Sequence, residues 1–412
     1  MKLSIPRGII YHKLFDDSQA LVSVFFKKLD RDTIVEQWEK VFAQYINQNY
    51  SVAFPYARTA IYYALKSQKL PAGSEIIMPP ISIKGILDVV LALNLQPVFV
   101  DIDLNTLCFD MKEIDAAITP KTKAILITYL FGIVPNMEDM IEICKKNNLF
   151  TIEDFSQCLN GKYKNKKVGS FGNVGVYSAS SIKTLDTYGG GLLVCNDSKL
   201  HELLKSMQSS LSIPSRMHLI NKIIVDLIRN LATSRLIFHF IVFPLLKVFS
   251  ILNPDGVMKI TGKRAQNMIK VLPERWFEKY TSFQAELGLK TLSIVQSEDA
   301  MRIKNVEYLK STLTSLSFPK NGPDTQNVYW QFVAFFNNPK DSQKRMHKMG
   351  VDTSTTSLEL ISSLDAYPYK GDTPNANYLY IHGMFIPSFP GMSKKDLKRV
   401  SSSVNIITKQ RS

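Results

Sequence analysis

The sequence predicts an α/β fold: a large, mostly parallel sheet with helices on both faces, followed by a smaller C-terminal α+β domain. Two observations lead there. Between residues 75 and 154, apolar runs of four to six residues alternate with amphipathic helical stretches, which is the pattern of βαβ units. Toward the C-terminus, short runs such as VYWQFVAFF and YIHGMFIP alternate with helical patterns at 342–348 and 394–404, which suits a smaller mixed layer. With 412 residues the chain is long enough to bury a sizeable core.

In chain order, residues 1–30 read as an irregular arm. Asp32 is placed to cap a helix carrying Ile34, Trp38, Val41, Phe42 and Tyr45 at helical spacing. A second helix opens at Arg58-Thr59 and stops before Pro71-Ala72-Gly73, and its N-terminus is a potential anion site. Then come EIIMP (strand), GILDVVLALN (helix), PVFVDID (strand), MKEIDAAI (helix), KAILITYL (strand), MEDMIEICKKNN (helix) and LFTIED (strand). Ligands of such sheets gather beyond the carboxyl ends of the strands, where Asp101, Asp103, Asp154 and Ser178 stand.

The formal net charge of +14 favours acidic partners. It is local: residues 205–275 hold eleven Lys or Arg against three Asp or Glu. In that stretch Ile220, Ile223, Ile224, Leu227, Ile228 and Leu231 form an apolar helical face opposite Lys222, Asp226 and Arg229. Residues 236–252, LIFHFIVFPLLKVFSIL, are nearly all apolar but are broken by His239, Pro244 and Lys247, which argues against a full transmembrane helix. An interfacial helix pair on an anionic membrane, through residues 215–255, and a hairpin buried against the body or a partner subunit both remain open. The charge lacks the aromatic interleaving of a nucleic-acid surface. The domains read as 1–204, 205–275 and 276–412.

Cys108, Cys144, Cys158 and Cys195 are scattered, without a CxxC pair, which suits a reducing cytosol better than a disulfide framework or structural zinc. The N-terminus MKLSIPRGIIYHKLFDD lacks a signal peptide's apolar core, so no export is expected. His12, His218, His239 and His382 have no mutual spacing that suggests a metal site.

Chemistry concentrates in 151–197, TIEDFSQCLNGKYKNKKVGSFGNVGVYSASSIKTLDTYGGGLLVCND. A lone lysine is usually a solvated surface charge. Lys183, however, follows Ser178 by five residues and precedes a glycine run, while Asp154 stands at a strand end about thirty residues upstream. Carbonyl chemistry on a lysine needs an amine activated by partial burial or a neighbouring cation. With pyridoxal phosphate (PLP), it also needs a carboxylate for the ring nitrogen and donors for the phosphate. Asp154 suits the first role, and Ser178, Arg58 and Thr59 suit the second.

These pieces resemble the DegT/StrS family of PLP-dependent sugar aminotransferases. The similarity runs through WEKVFAQY (38–45), ARTAIYYAL (57–65), QPVFVDIDLNTL (96–107), AAITPKTKAILITYLFG (116–132), IEDFSQCLNGKYKNKKVGSFGNVGVYSASSIK (152–183) and GGGLLVCND (189–197). It resumes in FQAELGLKTL (283–292) and FIPSFPGMSKKDLKRV (385–400), covering nearly everything outside 205–275. The resemblance implies the fold-type-I aminotransferase architecture, PLP as cofactor, and Lys183 as the Schiff-base residue that shuttles the proton. It implies Asp154 on the pyridinium nitrogen, Gln157 on the ring or its hydroxyl, and Ser178 and Thr59 on the phosphate. It also implies a homodimer with the active site at the subunit interface, an amino donor such as glutamate, and a nucleotide-linked ketosugar acceptor used in polysaccharide, glycolipid or antibiotic assembly.

The chain departs from the family's pattern at four places. Arg58 stands where a glycine often precedes the phosphate-binding Thr, and Ile83 replaces a stacking aromatic. Tyr188-Gly189-Gly190-Gly191 stands for Gly-Glu-Gly-Gly, and RWFEKYTSF shows no counterpart of the Asn-bearing loop sent to a neighbouring site. The alternative from another class is a non-catalytic relative that uses its basic apolar insert as a membrane- or partner-binding module.

Overall fold

The computed structural model describes residues 3–252, 269, 271–355, 358–365, 367 and 369–409. A seven-stranded sheet forms its centre: β1 (Tyr50–Phe54), β2 (Glu75–Met78), β3 (Gln96–Phe99), β4 (Thr122–Thr128), β5 (Phe150–Asp154), β6 (Val174–Ser178) and β7 (Gly191–Cys195), in the order β1-β7-β6-β5-β4-β2-β3. The neighbours from β6 to β3 are parallel, whereas β7 is antiparallel to both β6 and β1. Alternation along each strand sends side chains to opposite faces. On β4, Ile125 and Ile127 join one core with Trp38, Phe42 and Tyr177, while Ala124 and Leu126 join the other with Phe54, Leu65 and Leu87. This double burial explains the continuous apolar runs of the central strands.

Among the helices are α1 (Leu14–Phe26), α2 (Asp32–Ile46), α3 (Ala57–Ser67), α4 (Lys84–Ala92), α5 (Met111–Ala117), α6 (Met137–Lys146), α7 (Ser198–Ser209), α8 (Arg216–Thr233) and α9 (Ser282–Thr312). α1 lies inside the stretch expected to be irregular. It buries Ala20 and Val24 against α8 and turns Phe15, Val22, Phe25 and Phe26 outward. Asp32 sits in the first turn of α2, and Arg31 is the N-cap residue.

The expected boundary at residue 205 falls inside α7. Lys205 and Gln208 hold this helix to the body through Glu39, and Gln208 also donates to the Ala53 carbonyl at 2.7 Å. The boundary at 276 is blurred by α9. Its Ala285, Leu292 and Val295 belong to the sheet core, and its Val306 and Leu309 belong to the core of the smaller C-terminal part. That part is built on a three-stranded antiparallel sheet, Phe332–Phe335, Gly383–Ile386 and Ser354–Thr355.

Beyond α7, the apolar stripe of α8 divides: Ile220 and Ile223 are buried, while Ile224 and Ile228 face outward. Asp226, expected on the polar face, is buried because Ser181 and Arg229 pair with it. After Ser234 the chain bends through Arg235–Ile237, a π-helical turn at Phe238–Val242, and helix Phe243–Leu252. Residues 253–268 and 270 of the expected insert, and with them the 253–255 end of the 215–255 segment, lie outside the described residues. Among the described residues no single helix is long and apolar enough to cross a membrane. By length and composition alone, the pair Arg216–Thr233 and Arg235–Val248, bent by 65°, passes the same test together.

Candidate active site

The carboxyl ends of β4, β5 and β6 open onto a cavity of about 460 Å³ lined by Thr128, Asp154, Ser156, Gln157, Ser178 and Lys183. Asp154 ends β5 and is 7 % exposed. Its Oδ1 accepts from the Ser156 N–H at 3.0 Å. Burial pushes the Asp154 carboxyl up, against the bonds from Ser156 and the nearby Lys183 charge. Its neighbour Glu153 points to the opposite face of the sheet, as strand alternation requires. There it accepts from the N–H groups of Gly169, Phe171 and Gly172 at 2.8, 2.6 and 2.6 Å, and so fixes the turn that feeds β6.

Ser178 closes β6. Its N–H donates to Ser156 Oγ at 3.0 Å, and its hydroxyl lies 2.9 Å from that of Ser180. Lys183 follows in the loop, 6 % exposed, with its Nζ 3.7 Å from the centroid of the Trp330 ring. The Trp330 indole N–H in turn donates to the Ile182 carbonyl at 3.0 Å, bracing the loop. Ile182 and Tyr188 hold φ of 70° and 58°, values uncommon for bulky residues. Gln157 takes the Phe131 N–H on its Oε1 at 2.7 Å.

The glycine run permits close approach to the start of α3. A Cβ on Gly191 would lie 2.2 Å from the Tyr56 carbonyl oxygen, and Gly190 has φ 142°. Tyr56, Ala57 and Arg58 therefore line the cavity at the N-terminus of α3. The Arg58 guanidinium lies 4.5 Å from the Trp276 ring centroid, over Gly85, where a Cβ would meet Nη1 at 2.8 Å. Thr59, the expected phosphate ligand, does not line this cavity. It is 1 % exposed, and its hydroxyl donates to the Trp276 carbonyl at 2.6 Å.

Sequence reasoning missed Ser156, Ser180, Lys84 and Arg275, which share the wall. Lys84 is paired with Asp88 at 2.6 Å in ISIKG, where Ile83, beside it, lines the cavity in place of an aromatic. The position of Lys84 one turn before Asp88 was a readable signal. Asp101, by contrast, accepts from the Asn375 and Ala376 N–H groups and fastens the C-terminal part.

Tyr188 explains one departure. It is 2 % exposed, and its hydroxyl donates to Asp17 Oδ1 at 2.7 Å. Asp17 also accepts from Asn230 Nδ2 at 2.8 Å and lies 3.2 Å from His12 Nδ1, while His12 Nε2 is 2.8 Å from the Asp186 carbonyl. The glycine loop is thereby tied to the N-terminal arm and to α8.

The donor set fits PLP, with a lysine amine, a buried carboxylate, two serine hydroxyls, and cations at Arg58, Lys84 and Arg275 around one cavity. The sequence profile of the DegT/DnrJ/EryC1/StrS aminotransferase family matches residues 20–217 and 277–405. The chain belongs to this family. It is a PLP-dependent aminotransferase. GDP-perosamine synthase of Escherichia coli O157:H7 is 23% identical over 378 residues, covering 90% of this chain and 89% of that protein. The sugar aminotransferase CalS13 of Micromonospora echinospora superposes with a TM-score of 0.75 at 19% identity, over 98% of this chain and 99% of that one. A Streptococcus pneumoniae structure in its PLP form superposes with a TM-score of 0.72 at 15% identity, over 100% and 99% of the two chains. The profile match leaves out 218–276, the greater part of the basic apolar insert.

Proposed function

We propose that the chain moves an amino group from an amino-acid donor, glutamate first among them, to a nucleotide-linked ketosugar. The observation that carries this reading is the convergence of Lys183, Asp154, Gln157 and Ser178 on one cavity with a basic rim. When bound, PLP supplies an electron sink for the carbanion at the amino-bearing carbon. Lys183 Nζ carries the proton to and from that carbon. Asp154, whose carboxyl burial pushes up, would face the ring nitrogen, where a cationic N–H would favour its ionised form and would in turn be kept protonated. Ser178, Ser180 and Arg58 would hold the phosphate, with the N–H groups that open α3. Gln157, its Oε1 held by Phe131, keeps its NH₂ end to donate to the ring hydroxyl. Arg275 and Lys84 suit the diphosphate of the acceptor.

The working unit is a homodimer, supported by the outward Phe15, Phe25 and Phe26 of α1, an apolar surface of the kind that pairs. The exposed Leu236, Phe240, Ile241 and Leu245 support peripheral contact with an anionic membrane. The four buried, unpaired thiols suit the cytoplasmic side. Half-reactions test the reading. Glutamate should convert the visible band of the PLP-loaded enzyme to the pyridoxamine form, and a nucleotide ketosugar should restore it. Conversion by glutamate with restoration only by amino-acid-derived keto acids would refute the sugar assignment.

A further inference from the structure

A second cavity, of about 450 Å³, lies behind the Lys183 loop, in the size range of ligand pockets. Its walls differ in character from those of the first. Val242, Leu246 and Phe238 enter it from the bent segment, one turn apart, and Phe332, Phe385 and Ile10 face them. Most of its polar side chains are already engaged: Arg7 with Asp352 at 2.7 Å, and Arg302 with Asp299 and Tyr11. A mostly apolar cavity whose buried ion pairs close within the wall gains little from water and favours a hydrocarbon guest.

Three observations say how such a guest arrives and lies. The bent segment that lines the cavity through Phe238, Val242 and Leu246 presents Phe240, Ile241 and Leu245 to solvent, each more than half exposed. One helix therefore separates the cavity from an outward apolar face of the kind that beds into a bilayer surface. Arg229 also lines the cavity, with its side chain 52% exposed; its Nη1 is held by Asp226 and Ser181, and the exposed remainder of the guanidinium faces an anionic head group. Gln331 Oε1 is buried in the wall without a hydrogen-bond partner among the described residues, beside Trp330, on which Lys183 rests. A buried acceptor of that kind calls for a donor on the guest.

We infer that this cavity is a binding site for the hydrocarbon chain of a membrane amphiphile, admitted through the insert and ending against the Trp330 and Ile182 wall of the active site. The chain could belong to a bilayer phospholipid or to a sugar-bearing lipid. Hydroxyls of the latter would satisfy Gln331.

The test is calorimetric titration of the full-length, PLP-loaded enzyme with dodecyl phosphate and dodecyl glucoside below their micelle concentrations, with inorganic phosphate as the chain-free control. Both dodecyl probes should bind and inorganic phosphate should not. Val242→Phe, which fills the cavity, should weaken both at least tenfold while the visible cofactor band stays. Ile241→Ser, on the outer face of the same helix, should leave the dodecyl probes unchanged and weaken flotation with phosphatidylglycerol vesicles. Dodecyl glucoside binding that survives on vesicle-bound enzyme identifies the sugar-bearing source, and competition by the vesicles identifies the phospholipid. Either outcome upholds the chain site. Silence of both dodecyl probes toward wild type, or equal binding by wild type and Val242→Phe, overturns it. Loss of the cofactor band in wild type would strike the aminotransferase reading alone.

Discussion

Replacing His12 by Gln probes the polar knot beneath the glycine loop. His12 is buried between Asp17 and Asp186. Against the cost of burial, the two carboxylates raise its pKa from 6.5 to about 9. Asp186, beside Asp226 and Asp17, is itself pushed up by its burial. Both shifts mean that the folded chain holds more protons than the unfolded one, so stability falls as pH rises through this range. The contribution of His12 is full below about 6.5 and is lost as pH climbs through about 9. The gap between those values corresponds to about 3 kcal/mol. The shared carboxylates absorb part of it, so His12→Gln should cost about 2–3 kcal/mol at pH 6 and under about 1 kcal/mol at pH 10. Urea unfolding of both proteins at pH 6, 8 and 10 measures the difference. A wild-type-to-variant gap that stays constant across those pH values would refute the reasoning.

Other perturbations follow from the same structure. Tyr188→Phe removes a hydroxyl donated to the buried Asp17 carboxylate and should destabilise by about 1.5–3 kcal/mol, read as a lower urea midpoint. Trp38→Ala empties a fully buried site packed against Gly288 and should cost about 3–5 kcal/mol by the same measurement. Asp154→Asn should lower the rate of the glutamate half-reaction by about 10²–10⁴-fold in stopped-flow absorbance, with PLP still bound. Thr59→Val, at a hydroxyl spent on the Trp276 carbonyl, should lower stability by about 1 kcal/mol and change PLP affinity less than Ser178→Ala does in equilibrium titrations.

The sheet was legible because its strands are buried on both faces and read as unbroken apolar runs, such as AILIT in β4. The places of Asp154 and Ser178 on the cavity wall were legible because ligands of such sheets gather beyond the strand ends. α1 was not, since its largest apolar residues face outward while Ala20, Val24 and the charged Asp17 face the body. A pattern rule that assigns charge to solvent reads that helix backward. The same inversion hid Asp226 on α8. The partners of Asp17 and of His12 lie up to 218 residues away in sequence, beyond the reach of any local pattern. Thr59 misled for a simpler reason. Its position at the opening of α3 marks an anion site, yet the side chain turns to Trp276, more than 200 residues on, and leaves the wall to Arg58.

The central claim is that Lys183 holds the cofactor. Borohydride reduction of the PLP-loaded enzyme, followed by peptide mass mapping, addresses it directly. One peptide containing Lys183 should carry the reduced cofactor, and the label should vanish in Lys183→Ala. A wild-type enzyme without a visible cofactor band at saturating PLP, or a label fixed on another lysine, would contradict the account.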